Sequence, residues 1–317
     1  MRQRWQQLSP RWKWFTALSL TFTLFLIIFI TFIYRELLMT AEVMYEEYEP
    51  SVVELPTIDA PAEEVAGNEQ VEKPIVVLLL GVDERPGNKG RSDTMIVLAM
   101  NPNEETTKML SIPRDTLTKI EGYREEDKIN HAYAFGGAAT TKKTVEQFLQ
   151  IPIDYVITIN MEGFLAVVDA VDGVSVTNPF AFTYEGETYE EGNLQLSGEQ
   201  ALGFVRMRYD DPAGDFGRQD RQKNVVKALL QKLATPKALL QLPTFQKIAE
   251  SHVRMNIHLT DVPSLHKQYR DSFKQFESIQ VTQGRGEMRS GIYYYVFNET
   301  ELNTIRTELQ TFIATKK

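Results

Sequence analysis

The longest uninterrupted apolar stretch outside the N-terminus is PIVVLLLGVD, residues 74–83. A short run with no polar alternation, closed by a glycine, predicts a strand buried on both faces. A second run, DTMIVLAM (93–100), is followed by the turn residues NPNE and a third run, TTKMLSIP (106–113), so these two predict a hairpin. Helical spacing then takes over in AATTKKTVEQFLQ, where Val145, Phe148 and Leu149 share a face. DYVITIN predicts a strand, MEGFLAVVDAV a helix stopped at Asp172-Gly173, and VSVTN another strand. Ser197 is placed to cap a short helix over SGEQALGF. A long helix is predicted after Gly217, with Val225, Val226, Leu229, Leu230 and Leu233 on one side. Helices near 236–251 and 261–275, strands at SIQVTQ and GIYYYVF, and a last helix over ETELNTIRTELQTFI complete the pattern. Strands and helices mix, with hairpins among the strands. The expected class is therefore α/β, a mixed β-sheet core flanked by helices.

A different pattern precedes this domain. Between Lys13 and Arg35 there is no charged residue. At about 1.5 Å per residue that run can cross a bilayer core of about 30 Å. Arg2, Arg4, Arg11 and Lys13 lie before it and a group of glutamates after it, which places residues 1–13 in the cytoplasm and the bulk of the chain outside. The alternative, a cleaved signal peptide, calls for a shorter apolar core and a small-residue cleavage site. The expected organisation is a cytoplasmic N-terminus (1–13), a transmembrane helix (14–34), an acidic, Pro-interrupted extracellular stalk (35–73) and an extracellular domain (74–317).

Composition narrows the function. The formal net charge of −9 argues against nucleic acid as a partner. The absence of cysteine excludes disulfides, thiol catalysis and Cys-based zinc sites. No Walker loop, GxSxG elbow or HExxH is present, and His131, His252, His258 and His266 show no metal spacing.

Against that acidic background three Arg/Asp clusters stand near strand ends. In GVDERPGNKGRSDT, Asp83 and Arg85 follow the first buried strand, while Arg91 and Asp93 open the next. Two carboxylates beside a Gly-rich loop suit a hard cation such as Mg²⁺, which takes one or two carboxylates and completes its shell with water and phosphate oxygens. In SIPRDT, Arg114 and Asp115 follow the third strand. The third cluster, FVRMRYDDPAGDFGRQDRQ (204–222), holds four arginines and four aspartates in nineteen residues. Read as extended chain, FVRMRY puts Arg206 and Arg208 on one face. Arg218, Arg221 and Gln222 share the face of the helix that follows. Cations in a first helical turn oppose the helix dipole, and a bound phosphate or pyrophosphate would reconcile them. The plain alternative is an Arg/Asp salt-bridge network that orders a loop. Asp211 before its proline suits a scaffold.

The segments LLLGVDER, GRSDTMIVLAMNP, SIPRDT, KINHAYAFGG, TVEQFL and LSGEQALGFVRMRYDDPAGDFGRQDRQ resemble the LytR-CpsA-Psr family of membrane-anchored cell-wall ligases, in family order from about residue 74 to 226. His131 departs from the small residue more usual there. The resemblance implies an α/β domain that holds a polyprenyl pyrophosphate, with the lipid chain in an apolar tunnel for which YVITINMEGFLAVVDAV is a candidate wall. It implies transfer of a phosphoglycopolymer, such as wall teichoic acid or capsule, from that carrier to peptidoglycan at a Gram-positive cell membrane. By motif position, Asp83 and Asp93 would hold Mg²⁺, with Mn²⁺ as its substitute. Arg91, Arg114, Arg206, Arg208 and Arg218 would bind the pyrophosphate, Gln222 matches a further site position, and Lys142 or Lys143 a basic residue near the head group; Arg85 at the strand end and Arg221 on the helix face join them as candidate pyrophosphate ligands from their placement. Arg114, Asp115 and Asp215 would be the catalytic residues, with the proton of the attacking hydroxyl going to either Asp115 or Asp215. Other classes weighed are a non-catalytic lipid-pyrophosphate-binding protein, a hydrolase, and a transcriptional regulator, for which thirteen cytoplasmic residues leave no room.

Overall fold

The computed structural model describes residues 45–51, 53, 72–84, 90–239, 241–258 and 260–314, all within one compact unit, Met44–Lys317. The expected cytoplasmic end and transmembrane helix, most of the expected stalk, and Arg85 lie outside the described residues. Among the described residues no helix is long and apolar enough to cross a membrane.

The buried runs become the middle of the sheet. β1 (Ile75–Val82), β2 (Ser92–Asn101) and β3 (Thr106–Ser111) pair antiparallel in succession. A small hairpin of β4 (Leu117–Lys119) and β5 (Glu126–Lys128) leads into α1 (His131–Leu149). β6 (Tyr155–Asn160) then returns parallel to β1. Next come α2 (Met161–Ala170), β7 (Val174–Asn178), β8 (Phe182–Tyr184), β9 (Glu187–Tyr189) and β10 (Gly192–Leu196). They are followed by α3 (Gly198–Arg206), α4 (Asp215–Leu233), a helical turn at Pro236–Leu239 and α5 (Leu242–His252). β11 (Val253–Met255), α6 (Val262–Tyr269), β12 (Gln275–Ile279), the hairpin β13 (Arg285–Arg289) and β14 (Ile292–Val296), and α7 (Glu299–Ala314) complete the chain. The sheet runs β11-β6-β1-β2-β3-β12, with β1–β6 and β3–β12 parallel.

The two-residue period explains why both faces are covered. Val76, Leu78, Leu80, Met95 and Val97 pack on one face with Leu149 of α1 and Leu309 and Phe312 of α7, nearly all fully buried. Each such side chain contributes about 1.5–3 kcal/mol on burial. Val77, Ile96 and Leu98 point to the other face, where half-buried groups outnumber buried ones: Leu79, Ile157, Val226 and Leu230 are only partly covered. α2, apolar almost throughout, fully buries only Gly163 and Val168.

The strand expected at SIQVTQ lies earlier, at Gln275–Ile279, and the helix expected near 236–251 is divided into Pro236–Leu239 and Leu242–His252. Three further expectations change around the site and the start of the domain. Phe204–Arg206 are helical, not extended: α3 carries a full capping box at Ser197 and Gln200 and runs through Arg206, and only Met207 turns to extended geometry. α1 starts seven residues earlier than AATTKK, because a kink at Gly136-Gly137, with Gly137 at φ 68°, joins two helical pieces across what reads as a break. Finally, the domain does not begin at Pro74. Glu46 N–H donates to Met255 O at 3.0 Å, Tyr45 stacks on His258 at 3.9 Å, and Tyr48 packs on the main core, so residues 45–50 lie along the β11 edge and over α1 rather than in a loose stalk.

Candidate active site

The ends of β1 and β3 and the start of β2 fall on one edge of the sheet. Antiparallel pairing brings Gly81 opposite Thr94 and Val82 opposite Ser92, so Asp83 and Asp93 come to the same end. The connection between them closes with Asp83 N–H donating to Arg91 O at 3.3 Å. Gly90 is required there: its φ is +70°, and a Cβ would stand 2.3 Å from the Asp83 carbonyl oxygen. Tyr133 of α1 pins the same segment by donating to Glu84 Oε1 at 2.6 Å. Asp83, Arg91, Asp93, Arg114 and Asp115 all line one cavity of about 440 Å³. Arg114 Nη1 lies 3.2 Å from Asp93 Oδ1.

α4 delivers the second half. Its first residue, Asp215, lies 2.7 Å from Arg218 Nη2 and 3.6 Å from Arg208 Nε, and its Oδ2 accepts from Gln219 Nε2 at 3.1 Å. Burial pulls the Arg218 pKa below its ordinary value; Asp215 opposes this, and the neighbouring charges of Arg114 and Arg208 lower it further. Two guanidiniums, Arg114 and Arg208, thus bear on Arg218, and a multivalent anion would relieve that repulsion. The Nε atoms of Arg114 and Arg218 are buried without hydrogen-bond partners among the described residues. The N-caps of α1 and α4, Asn130 and Gly214, make no side-chain cap hydrogen bond. Uncapped N-terminal amides favour anions.

Other expected ligands go elsewhere. The helical turn sends Arg206 to Met161, where Nη2 contacts the sulfur, away from Arg208. Arg221 is buried and fully engaged: Nε donates to Phe204 O at 2.9 Å, the two terminal nitrogens bond to Asp211 and to Met207 O, and the plane lies over Phe182 and Phe204. It is a clamp for the loop between α3 and α4. Asp211, expected as scaffold, is its partner. Lys142 is buried against Glu146 at 2.9 Å, and Lys143 pairs with Glu49 at 2.6 Å; neither joins the cluster. Gln222 is buried one turn beyond Arg218 on the same face of α4.

Two residues of the cavity were not singled out from sequence. Lys128 Nζ donates to Asp115 Oδ1 at 2.6 Å, and Asn130 Nδ2 donates to Asp93 Oδ1 at 3.2 Å. The available signal was positional: an Asn directly before a helical run reads as an N-cap, yet here its side chain serves Asp93 instead.

The LytR_cpsA_psr family model matches residues 42–311. The chain belongs to the LytR-CpsA-Psr family. A relative, the polyisoprenyl-teichoic acid–peptidoglycan teichoic acid transferase TagU of Bacillus subtilis, is 45% identical over 240 residues, which cover 75% of this chain and 77% of TagU. Among solved structures, TagT bound to LI-WTA is similar with TM-score 0.67 and 33% identity, covering 86% of this chain and 99% of that one. An Enterococcus faecalis protein described as a transcriptional regulator is similar with TM-score 0.70 and 35% identity, covering 77% of this chain and 89% of that one. The match from residue 42 agrees with residues 45–50 being part of the folded LytR-CpsA-Psr domain.

The donor set also bears on a metal. Asp83 and Asp93 supply two carboxylates, and Asn130 adds an amide oxygen, buried and without a hydrogen-bond partner among the described residues. Hard oxygen donors of this number fit Mg²⁺. No group of three or more His, Cys, Asp or Glu forms a fuller cage among the described residues.

Proposed function

We propose that this protein is a phosphotransferase that attaches a phosphoglycopolymer to peptidoglycan, taking it from a polyprenyl-pyrophosphate carrier and releasing polyprenyl phosphate. Wall teichoic acid is the polymer in the name of its TagU relative. The observation that carries this reading is the convergence of Arg114, Arg208 and Arg218 with Asp93 and Asp215. That arrangement suits a pyrophosphate.

In this reading the three arginines hold the pyrophosphate oxygens and take up charge as it shifts to the leaving phosphate. Arg91 adds a fourth cation from the β1–β2 side. A sugar hydroxyl of peptidoglycan attacks the polymer-side phosphorus, the bond from that phosphorus to the bridging oxygen breaks, and polyprenyl phosphate leaves with the bridging oxygen. Asp115 takes the hydroxyl proton: it lines the cavity, and Lys128 orients one of its oxygens. Asp215 instead positions Arg208 and Arg218. Asp83, Asp93 and Asn130 would hold Mg²⁺, or Mn²⁺ in its place, which supplies Lewis-acid stabilisation of phosphate charge. The half-buried apolar face of the sheet, with Leu79, Ile157, Val226 and Leu230, suits the polyprenyl chain. A membrane anchor over residues 14–34, with the domain on the outer side, would bring the site to that lipid.

The test is transfer of polymer from a lipid-linked donor to isolated peptidoglycan. Wild-type protein should form a covalent wall product; Asp115→Asn should bind donor normally and form product at least about 100-fold more slowly. Equal rates for the two would remove Asp115 from the chemistry.

A further inference from the structure

Beside the cavity, a row of rings and polar groups runs outward from Lys128. Its ammonium sits 5.8 Å from the centre of the Tyr294 ring on β14. Desolvation and then the nearby Asp127 carboxylate raise the Tyr294 pKa, and Asp127 Oδ2 accepts from His131 Nδ1 at 2.7 Å. His131 meets Phe135 edge-on at 6.0 Å, and Phe135 stacks on Tyr123 at 4.4 Å. Phe135 directly follows Ala134, which lines the cavity together with Lys128. Three separate elements build this row: the β4–β5 hairpin, the first turns of α1, and β14.

Burial does not explain the row. Tyr123 is 42% exposed and Phe135 39%, although two stacked aromatics of this size ordinarily close a core. The Asp127 and His131 side chains remain 27% and 19% exposed between the rings. With Nδ1–H committed to Asp127, the imidazole keeps Nε2 for another polar group. Flat apolar faces interrupted by a carboxylate and an imidazole match a chain of sugar rings, which offers C–H faces and hydroxyls in alternation. A lipid tail would have no use for the polar pair, and a pyrophosphate would be repelled by Asp127.

Given transfer to peptidoglycan as proposed above, we propose that Tyr123, Phe135, Asp127 and His131 form a shelf that binds a sugar ring of the acceptor glycan strand. A glycan on this shelf continues into the cavity beside Lys128 and Asp115, so the attacking hydroxyl arrives next to its proton acceptor. Donor pyrophosphate and acceptor glycan thus approach from different sides, the first from Arg208 and Arg218 and the second from β5 and α1.

The test uses full-length protein in detergent and a soluble N-acetylglucosamine tetramer as the probe. Calorimetric titration should show binding to wild type, weakened at least about tenfold by Tyr123→Ala or Phe135→Ala and kept within about twofold by Phe135→Tyr, which retains the ring. In the transfer assay the same Ala variants should raise KM for the peptidoglycan acceptor by about tenfold while leaving KM for the lipid-linked donor within about twofold. Equal tetramer binding by wild type and both Ala variants overturns the shelf. So does loss of adhesion to anionic phospholipid vesicles with tetramer binding intact, which would make the rings a membrane contact. A wild type that binds the tetramer at this shelf but moves no polymer leaves glycan binding standing and removes the transfer reaction instead.

Discussion

Arg206 and Arg208 are two residues apart and belong to different environments. Arg206 ends α3 and contacts Met161; Arg208 lies beyond the turn, 3.6 Å from Asp215. Replacing Arg208, Arg114 or Arg218 by Gln should each slow transfer by at least about 100-fold, the loss expected when a charge-stabilising donor is removed from a phosphoryl site. Arg206→Gln should cost less than about tenfold. Steady-state transfer rates of the four variants check this. Much of this cluster was legible residue by residue. Arginine at the wrong end of a helix, next to strand-end Asp/Arg pairs, pointed to an anion. The sequence did not reveal which arginines turn inward. Arg218 and Arg221 share a helix face, yet only Arg221 meets the carbonyls of Phe204 and Met207 and the carboxylate of Asp211.

The link between α3 and α4 shows the same division among elements. Arg221→Met should destabilise the fold by about 3–5 kcal/mol, since it leaves Asp211 buried without its partner. Chemical denaturation measures this, and activity should fall with stability rather than ahead of it. The three central strands were readable because burial on both faces leaves continuous apolar runs. The three-residue strands β4, β5, β8, β9 and β11 were not, because so short a segment has no period. α3 was misread at its end for a related reason. The local alternation Arg206-Met207-Arg208 suggested a strand, but Ala201, Phe204 and Val205, spaced i, i+3 and i+4, are buried and carry the helix through Arg206. Tertiary packing overrides a three-residue pattern.

At the scale of the whole domain, the segment before Pro74 changes the picture most. Lys142 Nζ donates to Glu49 O at 3.3 Å and Lys143 pairs with the Glu49 carboxylate, so the lysines expected near a head group fasten the incoming chain to α1. A chain starting at Met44 should therefore melt at a higher temperature than one starting at Lys73, by thermal unfolding of the two side by side. Sequence hid this contact because the segment's glutamates give it a loop-like composition, while the anchoring groups, Tyr45 and Tyr48, are isolated aromatics. The site itself is assembled from parts far apart in the chain: Asp83 and Asp93 from the β1–β2 edge, Arg114 after β3, Asn130 at α1, Arg208 in the link before α4, and Asp215 and Arg218 in its first turn. The most direct measurement is a reaction of the full-length protein with a polyprenyl-pyrophosphate-linked teichoic acid precursor, with and without peptidoglycan, in Mg²⁺ and in EDTA. One polyprenyl phosphate should appear for each polymer joined to the wall, only when peptidoglycan and Mg²⁺ are both present, and not with Arg218→Gln. Polymer released into solution at the same rate without peptidoglycan, or wall attachment undiminished in EDTA and in Arg218→Gln, would contradict the account.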